Sequence, residues 1–191
     1  RLQQSGTKVA YLMVDALRYE LGVALEMQLA EDGKVELKPA FAQLPSITRV
    51  GMASLLPGAG TGLKLVKNES GFTPHLGDQP VANVGQRMEV FRKRYGQRFQ
   101  EGRLEEFVRN RFDIEADVEL LVLRSVEIDS HFENHPDTAP TEIINALKRI
   151  RVAVHKLKDL GFSEVVIATD HGFFMNTHAG AGDTCSKLPG D

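Results

Sequence analysis

Three apolar runs in this chain each stop at or beside an aspartate. Residues 9–14 (Val-Ala-Tyr-Leu-Met-Val) run into Asp15, residues 119–128 end near Asp129, and residues 164–168 (Glu-Val-Val-Ile-Ala) pass through Thr169 into Asp170. Short, continuous apolar runs of this kind predict strands buried on both faces of a parallel sheet. In an open parallel sheet, ligands bind beyond the carboxyl ends of the strands. Acids placed there converge, repel one another and acquire raised pKa values, unless a bound cation removes the cost. His171 follows Asp170 directly and adds a nitrogen donor. Oxygen donors combined with imidazole suit Zn²⁺ or Mn²⁺, whereas oxygen alone leans toward Mg²⁺ or Ca²⁺. Each aspartate taken singly is more often a helix cap or a turn former than a metal ligand.

Helical patterns separate these runs, so the fold class is α/β. Leu17, Leu21, Leu25 and Leu29 mark a helix over residues 17–30, and Gly33 follows as a stop. Ile143, Leu147, Ile150, Val154 and Leu157 form one stripe over residues 139–160, with Pro140 in the first turn and Gly161 as the cap. Residues 35–41 alternate and predict a second strand. Residues 45–48 read as a loop, and residues 48–56 open a helix that Pro57-Gly58 ends. Residues 58–80, rich in Gly, Pro, Thr and Asn, read as a long loop or insertion. Residues 87–111 predict a helix with eight Arg or Lys against four Glu. That stretch is either a solvated face or a surface for a phosphate backbone or an acidic partner.

The totals narrow the class further. A chain of 191 residues suffices for one domain with a real core. Its net charge of −3 gives no general attraction to nucleic acid or anionic membrane. The single cysteine, Cys185, excludes an internal disulfide and a Cys-rich zinc site, and suits a reducing, cytoplasmic compartment. No apolar run approaches the ~18 residues of a membrane span. The chain opens on Arg1, without an initiator methionine or a signal-peptide pattern, and reads as a piece of a longer protein. His131, His135 and His155, taken singly, read as surface or structural histidines. His155 lies beside the apolar stripe of its helix.

Three segments in order carry a family resemblance. They are Val14-Asp15-Ala16-Leu17-Arg18-Tyr19-Glu20; the loop Leu44-Pro45-Ser46-Ile47-Thr48-Arg49 leading to Ser54-Leu55-Leu56-Pro57-Gly58; and Ala168-Thr169-Asp170-His171-Gly172-Phe173. Together they resemble the PglZ domain of the alkaline-phosphatase superfamily. The resemblance implies a three-layer sandwich with a mostly parallel central sheet, truncated here, over residues 1–191, with an insertion or cap at about residues 58–118. It implies two divalent metal ions, Zn²⁺ or else Mn²⁺. Asp15, Thr48, Asp170 and His171 would hold one. Thr48 matches the nucleophile position of related phosphodiesterases, with Ser46 as the alternative. Asp129 would hold the second ion with Glu133 and a late histidine. Glu133 stands where the wider superfamily has histidine, and His131 lies two residues after Asp129. His178 is a candidate for the late ligand, although that ligand could also lie past Asp191. Arg18 or Arg49 would clamp the phosphate.

The resemblance thus implies a metal-dependent phosphate-ester hydrolase, a phosphodiesterase or phosphatase, in a bacterial phage-defence (BREX-like) or signalling protein. The alternative is a catalytically silent scaffold in a phage-defence complex, touching DNA or a partner through residues 87–111. A sulfatase is disfavoured, because Ser46 is followed by Ile47-Thr48-Arg49 and not by the x-Pro-x-Arg pattern. A phosphomutase has no positive sign, and a receiver domain would not need Asp170-His171.

Overall fold

The computed structural model describes residues 7–69, 71–135 and 138–173. Its frame is a four-stranded sheet of order β5-β6-β1-β7, formed by β1 (Val9–Val14), β5 (Phe99–Arg103), β6 (Leu120–Ser125) and β7 (Glu164–Thr169). Every neighbouring pair is parallel, with Val14 level with Ser125 on one side and Thr169 on the other. The carboxyl ends of β6, β1 and β7 therefore lie side by side.

The apolar runs become central strands because helices cover both faces. Ala10, Leu12 and Val14 point to one core, shared with Leu121 and Leu123. That side is closed by α1 (Tyr19–Leu29), α5 (Leu104–Val108), α6 (Glu127–Asn134) and α7 (Ala139–Asp159). The α7 stripe delivers Ile143, Leu147, Ile150 and Leu157 to it, as its spacing predicts. Met13, Leu120 and Val122 point the other way, against α2 (Thr48–Ser54) and α4 (Val84–Tyr95). The result is an α/β fold with a parallel central sheet flanked by helices, the three-layer sandwich that the family resemblance implies.

Four expectations are corrected. Residues 35–41 form no strand, because they find no ladder partner. Pro39 lacks an N–H, and Phe41 stands fully exposed. Residues 58–80 are structured. A short helix α3 (Ala59–Gly62) leads into an antiparallel sheet of β2 (Leu63–Asn68), β3 (Gly71–Leu76) and β4 (Gln79–Pro80). Leu63 and Leu76, paired in that ladder, pack against the second core. Residues 87–111 are not one helix. Gly96, at φ 58°, ends α4, a 3₁₀ turn follows, and Phe99 stacks on Phe91 as the chain enters β5. Asp129 does not end a strand, because β6 stops at Ser125 and Asp129 lies in the first turn of α6. The carboxylate is favoured there by the partial positive charge of the helix start.

The start of α4 is fixed by a capping box. Asn83 Oδ1 accepts from the Gln86 N–H (2.9 Å), and Gln86 Oε1 accepts from the Asn83 N–H (3.2 Å). Asn83→Ala should cost about 1 kcal/mol of stability, measured as a shift in urea midpoint without a change of slope.

Candidate metal centre

The site begins where β1 ends. The Asp15 N–H still donates to Ser125 O (2.9 Å), continuing the ladder. Ala16 then takes φ 56°, a left-handed conformation that alanine adopts at a cost. The bend is held from β7. The Ala16 N–H donates to Asp170 Oδ1 (3.2 Å) and the Leu17 N–H to Thr169 Oγ1 (2.9 Å). Asp170 Oδ1 also accepts from the His171 N–H (2.9 Å). One oxygen of Asp170 thus fastens two strand ends together.

The other oxygen is left over. Asp170 Oδ2 and Asp15 Oδ1 are buried and have no hydrogen-bond partner among the described residues. Each lies 3.5 Å from His171 Nε2. Thr48 Oγ1 lies 3.3 Å from the same nitrogen. His171 Nδ1 is 3.0 Å from Gly172 O, which can only accept. A neutral ring therefore carries its proton on Nδ1 and turns the Nε2 lone pair toward the oxygens.

Thr48 gets there on α2, whose approach depends on Gly51. A Cβ on Gly51 would stand 2.7 Å from Asp170 Cβ and 2.9 Å from its carbonyl oxygen. The loop leading into α2 contains a cis Leu44–Pro45 bond. From the far side, α6 brings Asp129, so that Asp15, Asp129 and His171 offer donor atoms within 4.8 Å of one another. Phe173, just after the histidine, packs on Phe132 of α6 with ring centroids 4.1 Å apart and ties this helix to the site.

The electrostatics match a centre awaiting positive charge. The Asp15 pKa is pushed up to about 7, first by burial, then by the charges of Asp170 and Asp129, with His171 working the other way. Asp129 is also raised, by burial and then by Glu133. Two orphaned buried carboxylate oxygens, a hydroxyl and an imidazole nitrogen around one point are a donor set that fits a divalent cation.

A family model described as the BREX system PglZ alkaline phosphatase-like domain matches residues 1–187. The chain belongs to the PglZ family. Among curated proteins and solved structures, none matches it. The parallel sheet with helices on both faces agrees with a PglZ alkaline phosphatase-like fold, and that membership together with the Asp/Asp/His group points to metal use. No helix among the described residues of this PglZ chain is long and apolar enough to cross a membrane.

Of the residues singled out from sequence, the structure gathers Asp15, Thr48, Asp129, Asp170 and His171. Asp129 offers a donor atom within 4.8 Å of those of Asp15 and His171. Glu133 is exposed, close enough to act on Asp129 through its charge. His131 Nε2 lies 3.8 Å from Glu142, on the α7 side. Ser46 and Arg49 are exposed. Arg18 has its guanidinium held by Glu20 (2.6 and 2.7 Å) and stacked on Phe173. His178 lies outside the described residues. A cavity of about 780 Å³ reaches Asp170 and His171 from the α1 side, bounded by Arg18, Phe41 and Gln43.

Arg87 belongs to no motif in the sequence, but the fold buries it. It lies in the first turn of α4, buried at 7% exposure with Met88 and Phe91. Its four-residue spacing from Phe91 puts both on one helix face, but spacing alone does not say that this face is buried.

Proposed function

We propose that this PglZ domain is a metal-dependent phosphate-ester hydrolase in which Thr48 is the nucleophile. The observation that carries the reading is the meeting of Thr48 Oγ1, Asp15 Oδ1 and Asp170 Oδ2 within 3.3–3.5 Å of His171 Nε2. A divalent ion held by these groups, Zn²⁺ or Mn²⁺, would lower the pKa of the Thr48 hydroxyl and supply positive charge to the phosphate oxygens. Asp15 and Asp170 hold one oxygen each toward the shared point. Asp170 keeps its own orientation through the Ala16 and His171 N–H groups. His171 is fixed by its Nδ1–H on Gly172 O and presents the Nε2 lone pair to the same shared point. The Thr48 oxygen, its proton given up to solvent, would bond to phosphorus as the P–O bond to the alcohol breaks and the alcohol leaves protonated; water would then cleave the Thr48–phosphorus bond, restoring the hydroxyl and releasing phosphate from a monoester or a phosphomonoester from a diester.

Asp129 and Glu133 would hold a second ion, with His178 or a later histidine completing it. The cavity of about 780 Å³ beside Asp170 and His171 has the size of a small-molecule site and would take the alcohol side of the ester. Partners would be other BREX proteins, in the cytoplasm. Contact with nucleic acid through residues 87–111 would have to compete with internal pairing, since Arg92 is bound to Glu89 and Arg98 to Glu119.

Thr48→Ala should lower turnover of an aryl phosphodiester by at least about a thousandfold while metal content stays near that of the unaltered chain. Undiminished turnover in the variant removes Thr48 as nucleophile. A chain that neither takes up metal stoichiometrically nor hydrolyses mono- or diesters would instead fit the silent scaffold.

A further inference from the structure

Arg87 sits where an arginine is costly. It is 7% exposed, yet among the described residues its guanidinium makes one hydrogen bond, from Nη1 to Ala82 O (2.8 Å), and no ion pair. A guanidinium carries five N–H donors in a planar fork, so most of its donors are left without a partner among the described residues, and neither Nε nor Nη2 is among the atoms shut off from solvent. Buried cations are normally paired, because leaving water without a counter-charge is expensive.

The packing of α4 shows where the fork lies. Phe91 stacks on Phe99, the first residue of β5, and meets the ring of Tyr11 near the start of β1. Arg87 is one helical turn earlier, about 5.4 Å along the axis. α4 runs against the strands, so that turn carries Arg87 toward their carboxyl ends, where Arg124 and Asp15 lie. Arg124 is already neutralised by Glu101, with Nε at 3.1 Å and Nη2 at 2.5 Å from one carboxylate oxygen. Arg87 is near enough to feel three of these charges. Burial, first, and Arg124 push its pKa down, whereas Asp15 and Asp170 hold it up. Arg18, the other arginine close to the site, has its fork occupied by Glu20.

We infer that Arg87 is the anion-binding arginine of this site, its unpaired guanidinium N–H groups taking oxygens of the phosphoryl group that Thr48 faces. The inference rests on the phosphate-ester reading above. A planar fork matches two phosphate oxygens, and a buried position makes each such bond stronger than at the surface. Arg87 would bind the phosphate of the substrate whatever alcohol the ester carries. Affinity for inorganic phosphate should therefore depend on it.

The test is phosphate binding by titration calorimetry on the metal-loaded chain, with metal content and unfolding midpoint measured on the same samples. Arg87→Met and Arg87→Lys should keep the metal and weaken inorganic phosphate about 10- to 100-fold, lysine less than methionine. Should the methionine variant not fold, the lysine variant carries the test, since it keeps the charge and loses the fork. Unchanged phosphate affinity overturns the role of Arg87 alone. Loss of phosphate that restored metal reverses also overturns it, leaving a structural cation. Failure of the unaltered, metal-loaded chain to take up phosphate at all overturns the phosphate-ester reading together with this one.

Discussion

Asp15→Asn should stabilise the metal-free protein at pH 8 and abolish its response to metal. Asp15 is 2% exposed, and its pKa is pushed up to about 7 from an ordinary value near 4. The folded state therefore holds this proton more tightly than the unfolded chain does. Stability from this group is greatest below the ordinary carboxylate range, declines as pH rises from about 4 to about 7, and is fully lost above that. The upper bound on the cost is on the order of 4 kcal/mol, since each pH unit of displacement is worth about 1.4 kcal/mol. Asparagine keeps the shape and removes the charge. At pH 8, in chelator, the variant should unfold up to about 10 °C above the unaltered chain, and the gap should close near pH 4. Added Zn²⁺ or Mn²⁺ should raise the midpoint of the unaltered chain but not that of the variant. A variant that is no more stable in chelator and still gains stability with metal would show that Asp15 is neither strained by its charge nor a ligand.

Gly51→Ala should damage the centre from outside it. The added methyl would meet Asp170 Cβ at 2.7 Å and the Asp170 carbonyl at 2.9 Å. Neither atom is the loose end of a flexible side chain. Asp170 also holds the Ala16 and His171 N–H groups, so it has little freedom to retreat. The strain falls on α2, which must lift, and Thr48 sits one turn before the point of contact. Overpacking of this kind costs about 1–3 kcal/mol. A shift of ~1 Å at a reacting group costs about a hundredfold in rate. Urea midpoint and, on the phosphate-ester reading proposed above, the rate of phosphodiester hydrolysis, measured together, should both fall. Wild-type values in both would mean that α2 can slide over β7 without cost and that Thr48 is not held by this contact.

The strand ends were legible because burial on two faces leaves a plain mark, an unbroken apolar run such as residues 9–14. The α7 stripe was legible for the same reason. What failed was pattern without a partner. Residues 35–41 alternate like a strand, but pairing is a property of the neighbour, and here no neighbour offers a ladder. The opposite error fell on residues 58–80. Their Gly, Pro and Asn content hid an antiparallel sheet in which few side chains are buried, so the apolar signal was weak. Phe99–Arg103 reads as part of a helix because the run is charged, yet as an edge strand it tolerates Gln, Glu and Arg. Within the site, acids at strand ends could be read directly, whereas Arg87 could not. A buried arginine looks in sequence like any other helical charge, and only the packing of Phe91 reveals which way it faces.

β1 is flanked by β6 on one side and β7 on the other. Asp15 is synthesised before Asp170, and the carboxylate that braces the bend after it belongs to a residue 154 positions beyond Ala16. The donor atoms therefore cannot assemble until the last described strand has docked. Such distant pairings form late on a folding route. An ion that recognises only the finished arrangement would slow unfolding while leaving the refolding rate nearly untouched. Cation occupancy would then report, molecule by molecule, that β7 has seated.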